Sequence, residues 1–193
     1  MTATEEAPSR REQILATAAE LFAARGFHGV SVAELGAACG ISGPALYKHF
    51  PSKQAMLAEM LVSISERLLA VGRARVAEAG DPATAVRALV DWHLEFALGH
   101  RPLIVVQDRD WESLPEAARK QVRRLQRAYV DVWATQLCAI RPALDQAGAH
   151  AAAHAAFGLL NSTPRAGHVL RDEALRELLR TMALAALGVG TGD

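Results

Sequence analysis

Several features that mark the commoner functional classes are scarce or missing in this chain. Aromatic residues make up only 5% of its 193 residues, which disfavours strand-rich folds that draw on Tyr, Phe and Trp. Cys39 and Cys138 are the only cysteines, too few and too far apart for a disulfide framework or a zinc motif, so a reducing cytoplasmic home is expected. No run approaches the roughly 18 apolar residues of a membrane span. The opening MTATEEAPSRR sets acids before its Arg pair, with no apolar stretch behind it, unlike a secretory signal. A soluble protein without a membrane partner is expected. No nucleophile with a base, glycine-rich phosphate loop or paired carboxylates occurs in a convincing context. Asp108, Asp110 and Glu112 lie close together, but a charged turn at a helix end accounts for them. Neither a catalytic residue nor a cofactor is expected.

Net charge is also missing, since Lys plus Arg and Asp plus Glu each number 21. That excludes a broad basic field able to steer the whole molecule onto a polyanion. The local balance differs. No Asp or Glu occurs from Leu35 to Ala58, while Lys48, His49 and Lys53 fall inside that stretch. A phosphate backbone in contact there meets no opposing carboxylate, and charges beyond about 10 Å are screened.

What is present is helical patterning. Hydrophobic residues reach 51%, many of them Ala, and the length suits one large core or two small ones. Ser31 with Glu34 three residues later forms a capping box, Val32, Leu35 and Ala38 share a face, and Gly40 ends that helix. Ser42 caps the next helix, Pro44 fits its first turn, and Leu46 and Phe50 repeat four apart on its buried side. Ser42, Gly43, Ala45, Tyr47, Lys48 and His49 remain outward. That set is small and basic, as a helix entering a groove about 12 Å wide requires. Ser9 and Glu12 form a second capping box, ahead of a stripe of Ile14, Leu15, Ala18, Leu21 and Phe22 that stops at Gly26. Residues 1–8 read as a loose arm. Arg10 and Arg11, at the start of that helix, suit either a phosphate or minor-groove contact or a solvated terminus.

Gly40-Ile41-Ser42, Ala45-Leu46-Tyr47-Lys48-His49-Phe50 and Ser52-Lys53, with Leu21, Phe22, Gly26 and Phe27 upstream, resemble the DNA-binding domain of the TetR/AcrR repressors. The likeness covers roughly the first 60 residues; beyond it only length and helical character agree. It implies an all-α protein with a helix-turn-helix domain over residues 1–53 (helices about 10–25, 32–39 and 43–50) and a helical regulatory and dimerisation domain over 54–193. It further implies a homodimer that holds a palindromic double-stranded operator and releases it when a small, largely apolar effector binds. DNA-contact candidates are Arg10, Arg11, Ser31, Ser42, Gly43, Ala45, Tyr47, Lys48, His49 and Lys53. Tyr47, His49 and Lys53 suit phosphates, whereas Gly43 and Ala45 suit base preference. The alternatives are a DNA-binding regulator without small-molecule control, or an all-helical enzyme.

A fourth helix starts after the cap Ser52 and carries Leu57, Met60, Leu61, Ile64 and Leu68 on one side. The resemblance makes it the link between chamber and DNA heads. Its tilt would set two recognition helices the required 34–36 Å or so apart. Asp81-Pro82 opens a fifth helix that ends at Gly99, and residues 101–112 form a short sixth segment. Ser113 to Glu116 marks the start of a seventh, which stops near Ile140 ahead of Pro142 and carries Leu125, Tyr129, Val132, Trp133 and Leu137.

Trp92, His93, Phe96, Gln107, Trp111, Tyr129, Trp133 and Asn161 are the ligand-pocket candidates, set against ordinary core filling for each aromatic. Arg119, Lys120, Arg123, Arg124 and Arg127 line one helix face, either solvated or attracting an anionic effector such as an acyl-coenzyme A. His150 and His154 have metal-compatible spacing but no third ligand, so no metal is expected. With Phe157, and with Leu175, Leu178, Leu179 and Met182 of a last helix at about 172–187, they are placed in a dimer interface. Pro164 and Gly167 mark the intervening loop.

Overall fold

The computed structural model describes residues 9–190, so the expected arm over residues 1–8 lies outside the described residues. Ten α-helices follow one another among them: α1 (Arg10–Arg25), α2 (Val32–Ala38), α3 (Gly43–His49), α4 (Lys53–Glu78), α5 (Pro82–Gly99), α6 (Arg101–Asp110), α7 (Glu116–Ile140), α8 (Gln146–Leu160), α9 (Thr163–Ala166) and α10 (Asp172–Leu187). One tight turn of helix, Trp111–Ser113, joins α6 to α7, and no strand occurs among the described residues.

The polar punctuation read in the sequence sets the helix starts. Ser9 Oγ accepts the Glu12 N–H at 3.3 Å while the Glu12 carboxylate accepts the Ser9 N–H at 2.7 Å. Ser31 and Glu34 repeat the exchange at 3.2 and 2.8 Å. Arg25 also donates to Glu34 at 2.5 Å, and this guanidinium, then the Ser31 backbone N–H, holds the Glu34 carboxyl down to about 2. Asp81 Oδ1 accepts the N–H groups of Ala83 and Thr84 at 2.9 and 3.0 Å, opening α5.

Burial produces two main cores joined through α4. The first holds Ile14, Phe22, Phe27, Leu35, Leu46, Phe50, Leu57 and Leu61, and it takes in Val106 from α6 and Val122 from α7. The second holds Leu69, Leu89, Trp133, Leu137, Leu160, Leu179 and Leu184. Each such side chain contributes about 1.5–3 kcal/mol by leaving water. Because α4 supplies Leu57 and Leu61 to one core and Leu69 to the other, a rigid displacement of α4 moves both.

Three local expectations need correction. Ala38 is exposed and Cys39 is buried instead, because the inward side of α2 steps four residues from Leu35. Glu116 does begin α7, but without a side-chain cap. Ser113 belongs to the preceding turn, and its hydroxyl pairs with His28 Nε2 at 3.0 Å. Pro164 lies inside the one-turn helix α9 rather than in an open loop, consistent with its tolerance of a first helical turn.

Candidate nucleic-acid interface and internal cavity

Helices α2 and α3 meet at a glycine that periodicity alone does not single out. A Cβ on Gly36 would lie 2.8 Å from the Ile41 carbonyl oxygen and 3.1 Å from Gly43 N, so the close crossing requires a residue without one. The Ile41 N–H donates to the Gly36 carbonyl at 2.9 Å, and Gly40 turns the chain with a φ of +66°. Ser42 Oγ then accepts the Ala45 N–H at 3.3 Å, and Leu46 anchors α3 in the first core. Ser42, Tyr47 and Lys48 are left exposed, Tyr47 by 53%; Gly43, Ala45 and His49 are half-buried. This face is polar, and α3 carries no carboxylate.

The remaining interface candidates lie beside α3 but are engaged within the protein. Ser31 Oγ donates to Glu34 at 2.7 Å as part of its cap. Arg10 donates to the Cys39 carbonyl. Arg11 donates to both oxygens of Glu59 and to the His49 carbonyl, with its guanidinium 4.1 Å from the Phe50 ring centroid. Lys53 Nζ donates to the carbonyls of Phe27 at 2.8 Å and Val30 at 2.5 Å and lies 4.6 Å from the Phe27 ring centroid. All three cations thus bond backbone carbonyls within residues 27–49.

The loop that leads into α2 is also tied to the regulatory part. Asp110, buried at the end of α6, accepts the Phe27 N–H at 3.2 Å. Arg109 donates to the Ala23 carbonyl at 3.0 Å and to that of Phe22. The last turn of α6 thus satisfies the Ala23 carbonyl and the Phe27 N–H and adds a second donor to the Phe22 carbonyl, which already accepts the Gly26 N–H at 2.8 Å. The spacing of Asp108, Asp110 and Glu112 indicates a charged turn and nothing of this pairing.

A cavity of about 220 Å³ lies among α4, α5, α6, α7 and α8. Five pocket candidates line it: His93, Phe96, Gln107, Tyr129 and Asn161. Ile64, Ser65, Leu103, Asp108 and Gln126 also face it, as do His154 and Phe157, two of the residues expected at a dimer interface. Trp133 stands behind the wall, fully buried, 5.0 Å from Phe157 and 6.1 Å from His93 by ring centroid. Trp92 turns instead toward α4, donating its indole N–H to the Leu68 carbonyl at 3.2 Å beneath Arg67. Trp111 packs on the first core. Periodicity places these rings on inward faces but does not distinguish one core from the other.

The polar wall of the cavity is unusual. His93 Nε2 donates to Asn161 Oδ1 at 3.1 Å, which leaves Nδ1 without a partner; the Tyr129 hydroxyl and Trp133 Nε1 also lack one. Burial lowers the His93 pKa to about 4, with the Asn161 contact opposing, so the ring is neutral near pH 7. Burial likewise raises the Tyr129 hydroxyl above its ordinary range, although the nearby Trp133 indole pulls the other way. Gly72 permits the approach of α4 to this wall, since a Cβ there would lie 2.6 Å from Tyr129 Cε2.

On the basic face of α7, Arg119 pairs with Glu112 at 2.6 Å and Glu116 at 3.0 Å, and Lys120 with Glu116 at 3.7 Å. Arg123 lies 5.3 Å from the Trp111 ring centroid, while Arg124 and Arg127 are exposed. His150 bonds Asp131 at 2.9 Å and Gln146 at 3.2 Å. On α10, Leu175 and Leu179 are buried, whereas Leu178 and Met182 stay 47% and 46% exposed; Val169 and Leu170, ahead of α10, are exposed as well. No helix among the described residues is long and apolar enough to cross a membrane.

Comparison with known proteins agrees with this geometry over both parts of the chain. Residues 14–60 match the family described as bacterial regulatory proteins of the tetR family, and residues 79–165 match the tetracyclin repressor-like C-terminal domain. The HTH-type transcriptional repressor KstR2 of Rhodococcus jostii is 35% identical over 100 residues, 51% of this chain and 49% of that protein. The chain spans about half the length of the curated relatives it matches. A TetR-family transcriptional regulator from Bordetella parapertussis superposes with a TM-score of 0.80 at 28% identity, covering 92% of this chain and 95% of that one. AibR, solved in complex with isovaleryl coenzyme A and operator DNA, shares the fold at a TM-score of 0.73 and 22% identity, covering 90% and 97%. The helix-turn-helix, the regulatory domain behind it and both matches make this chain a member of the TetR family of transcriptional regulators.

Proposed function

We propose that the protein is a homodimeric repressor that holds a palindromic operator through two copies of α3 and releases it when a small, largely apolar molecule fills the internal cavity. The observation that carries this reading is the placement of α6. Its Ile104, Gln107 and Asp108 line the cavity, while Arg109 and Asp110 grip the end of α1 and the loop before α2. An effector that displaces α6 therefore pulls on the recognition unit, and α4, shared by both cores, moves with it. A few ångströms at each head disturb a spacing that must match one turn of DNA, about 34–36 Å.

Within the interface, exposed Lys48 and the Tyr47 hydroxyl reach phosphates, with Ser42, Gly43 and Ala45 against base edges. Arg10, Arg11, Ser31 and Lys53 serve the same interface by fixing the pose of α3 and its approach loop. Exposed Leu178 and Met182 supply the apolar centre of the dimer contact. The complex of AibR with isovaleryl coenzyme A supports an effector with an apolar acyl part as one version of this reading. Selection of bound duplexes from a random pool tests the function. Two inverted half-sites whose affinity falls steeply with salt support it, and failure to enrich any duplex overturns it.

A further inference from the structure

Two residues that line the cavity each carry a buried polar atom without a partner, His93 Nδ1 and the Tyr129 hydroxyl. They belong to residues that are each no more than 4% exposed. The bond from His93 Nε2 to Asn161 places the imidazole proton on that nitrogen, so Nδ1 offers a lone pair, while the Tyr129 hydroxyl offers a hydrogen. An occupant that both donates and accepts at one point answers this set, and a hydroxyl group does both. A bare hydrocarbon answers none of it.

The surrounding rings define the shape. Phe157 is parallel to His93 within 8° at 4.7 Å and to Tyr129 within 6° at 5.5 Å, whereas Trp133 stands edge-on to all three. A flat ring extends such a parallel set by offset stacking. The volume of about 220 Å³ exceeds the roughly 150 Å³ known to accept benzene, leaving space for a substituted or fused ring. Charge narrows the class further. Among the described residues no Lys or Arg lines the cavity and Asp108 does, so an anion entering it would lose its hydration without gaining a cation.

We propose that the buried part of the effector is a neutral, flat ring bearing a hydroxyl group, a phenol or its fused-ring equivalent, bonded through that hydroxyl to His93 and Tyr129. This inference rests on the reading of the cavity as the effector site. It assigns the basic face of α7 no part in binding the ring, since its cations lie outside the cavity lining.

Calorimetric titration of the full chain with para-cresol, toluene and para-toluate at neutral pH tests it, because the three share one ring and one methyl group. Para-cresol is expected to bind about tenfold more tightly than toluene, and para-toluate not measurably. In Tyr129→Phe the para-cresol advantage shrinks while toluene affinity is kept, which separates a lost hydrogen bond from a collapsed cavity. Equal affinities for para-cresol and toluene, a preference for para-toluate, or no binding by any of the three overturns the proposal. Para-cresol that binds as expected yet leaves operator affinity unchanged upholds the ligand class and overturns the effector role of the cavity.

Discussion

Asp110, on the last turn of α6, accepts the backbone N–H of Phe27 at 3.2 Å, at the entrance to the helix-turn-helix. A buried carboxylate holding a backbone N–H makes this a rigid strut, and its loss leaves the Phe27 donor without a partner. Asp110→Ala is expected to cost about 1–3 kcal/mol of stability and to weaken the link from cavity to DNA head. Melting curves combined with operator titrations check this. Unchanged stability and an unchanged response of operator affinity to the effector would remove the strut from the account.

Gly36→Ala forces a methyl group to within 2.8 Å of the Ile41 carbonyl. Overpacking of this kind costs about 1–3 kcal/mol, and here the strain falls on the crossing of α2 and α3. Operator binding should be lost while the dimerisation proposed for α10 persists. Gel-shift and sedimentation measurements on the same preparation separate the two.

Lys48 and Lys53 should behave differently although both are cations of the recognition unit. Lys48 is exposed, so Lys48→Ala should lower affinity for every duplex and reduce the salt slope by about one, with the melting temperature unchanged. Lys53 is occupied by the Phe27 and Val30 carbonyls. Lys53→Ala should therefore lower the melting temperature and leave the salt slope unchanged.

Neutral, buried His93 gives stability a pH dependence. Free histidine titrates near 6.5, and burial lowers His93 to about 4. Between those values the unfolded chain binds a proton that the folded chain refuses, so stability is full above about 6.5 and declines as pH falls through the window. Burial moves His100 in the same direction. His93→Phe should flatten the decline in melting temperature without abolishing it. Glu34, held to about 2, contributes its own loss only at lower pH, below the ordinary carboxylate range near 4.3.

Leu178→Asp and Met182→Asp place carboxylates on the exposed apolar side of α10. Both are expected to give folded monomers that no longer retain the operator, as sedimentation and DNA titration would show. A dimer that survives both changes places the interface elsewhere.

The helices were legible in the sequence because their starts are written locally. Ser9 with Glu12, Ser31 with Glu34 and Asp81 with Pro82 each act within one helical turn. The acid-free surface of α3 was legible for the same reason. What stayed hidden depends on contacts between distant segments. The bond of Lys53 to the Phe27 carbonyl and that of Asp110 to the Phe27 N–H join segments far apart in the chain, so local spacing shows neither. Helical spacing turns Trp92, Trp111 and Trp133 inward, yet only packing sends one toward α4, one to the first core and one behind the cavity. Phe157 was legible as a residue of an Ala-rich helix, and its place against His93 was not.

The most direct test of ligand-gated release needs no natural effector. Ser65 lies on α4, 4% exposed and facing the cavity, so Ser65→Phe fills that space with a permanent ring. Fluorescence anisotropy of a selected operator duplex should show at least about a tenfold loss of affinity for this variant, with dimer and melting temperature retained. Operator affinity equal to that of the unmodified protein, in a folded dimer with the cavity filled, would contradict the account.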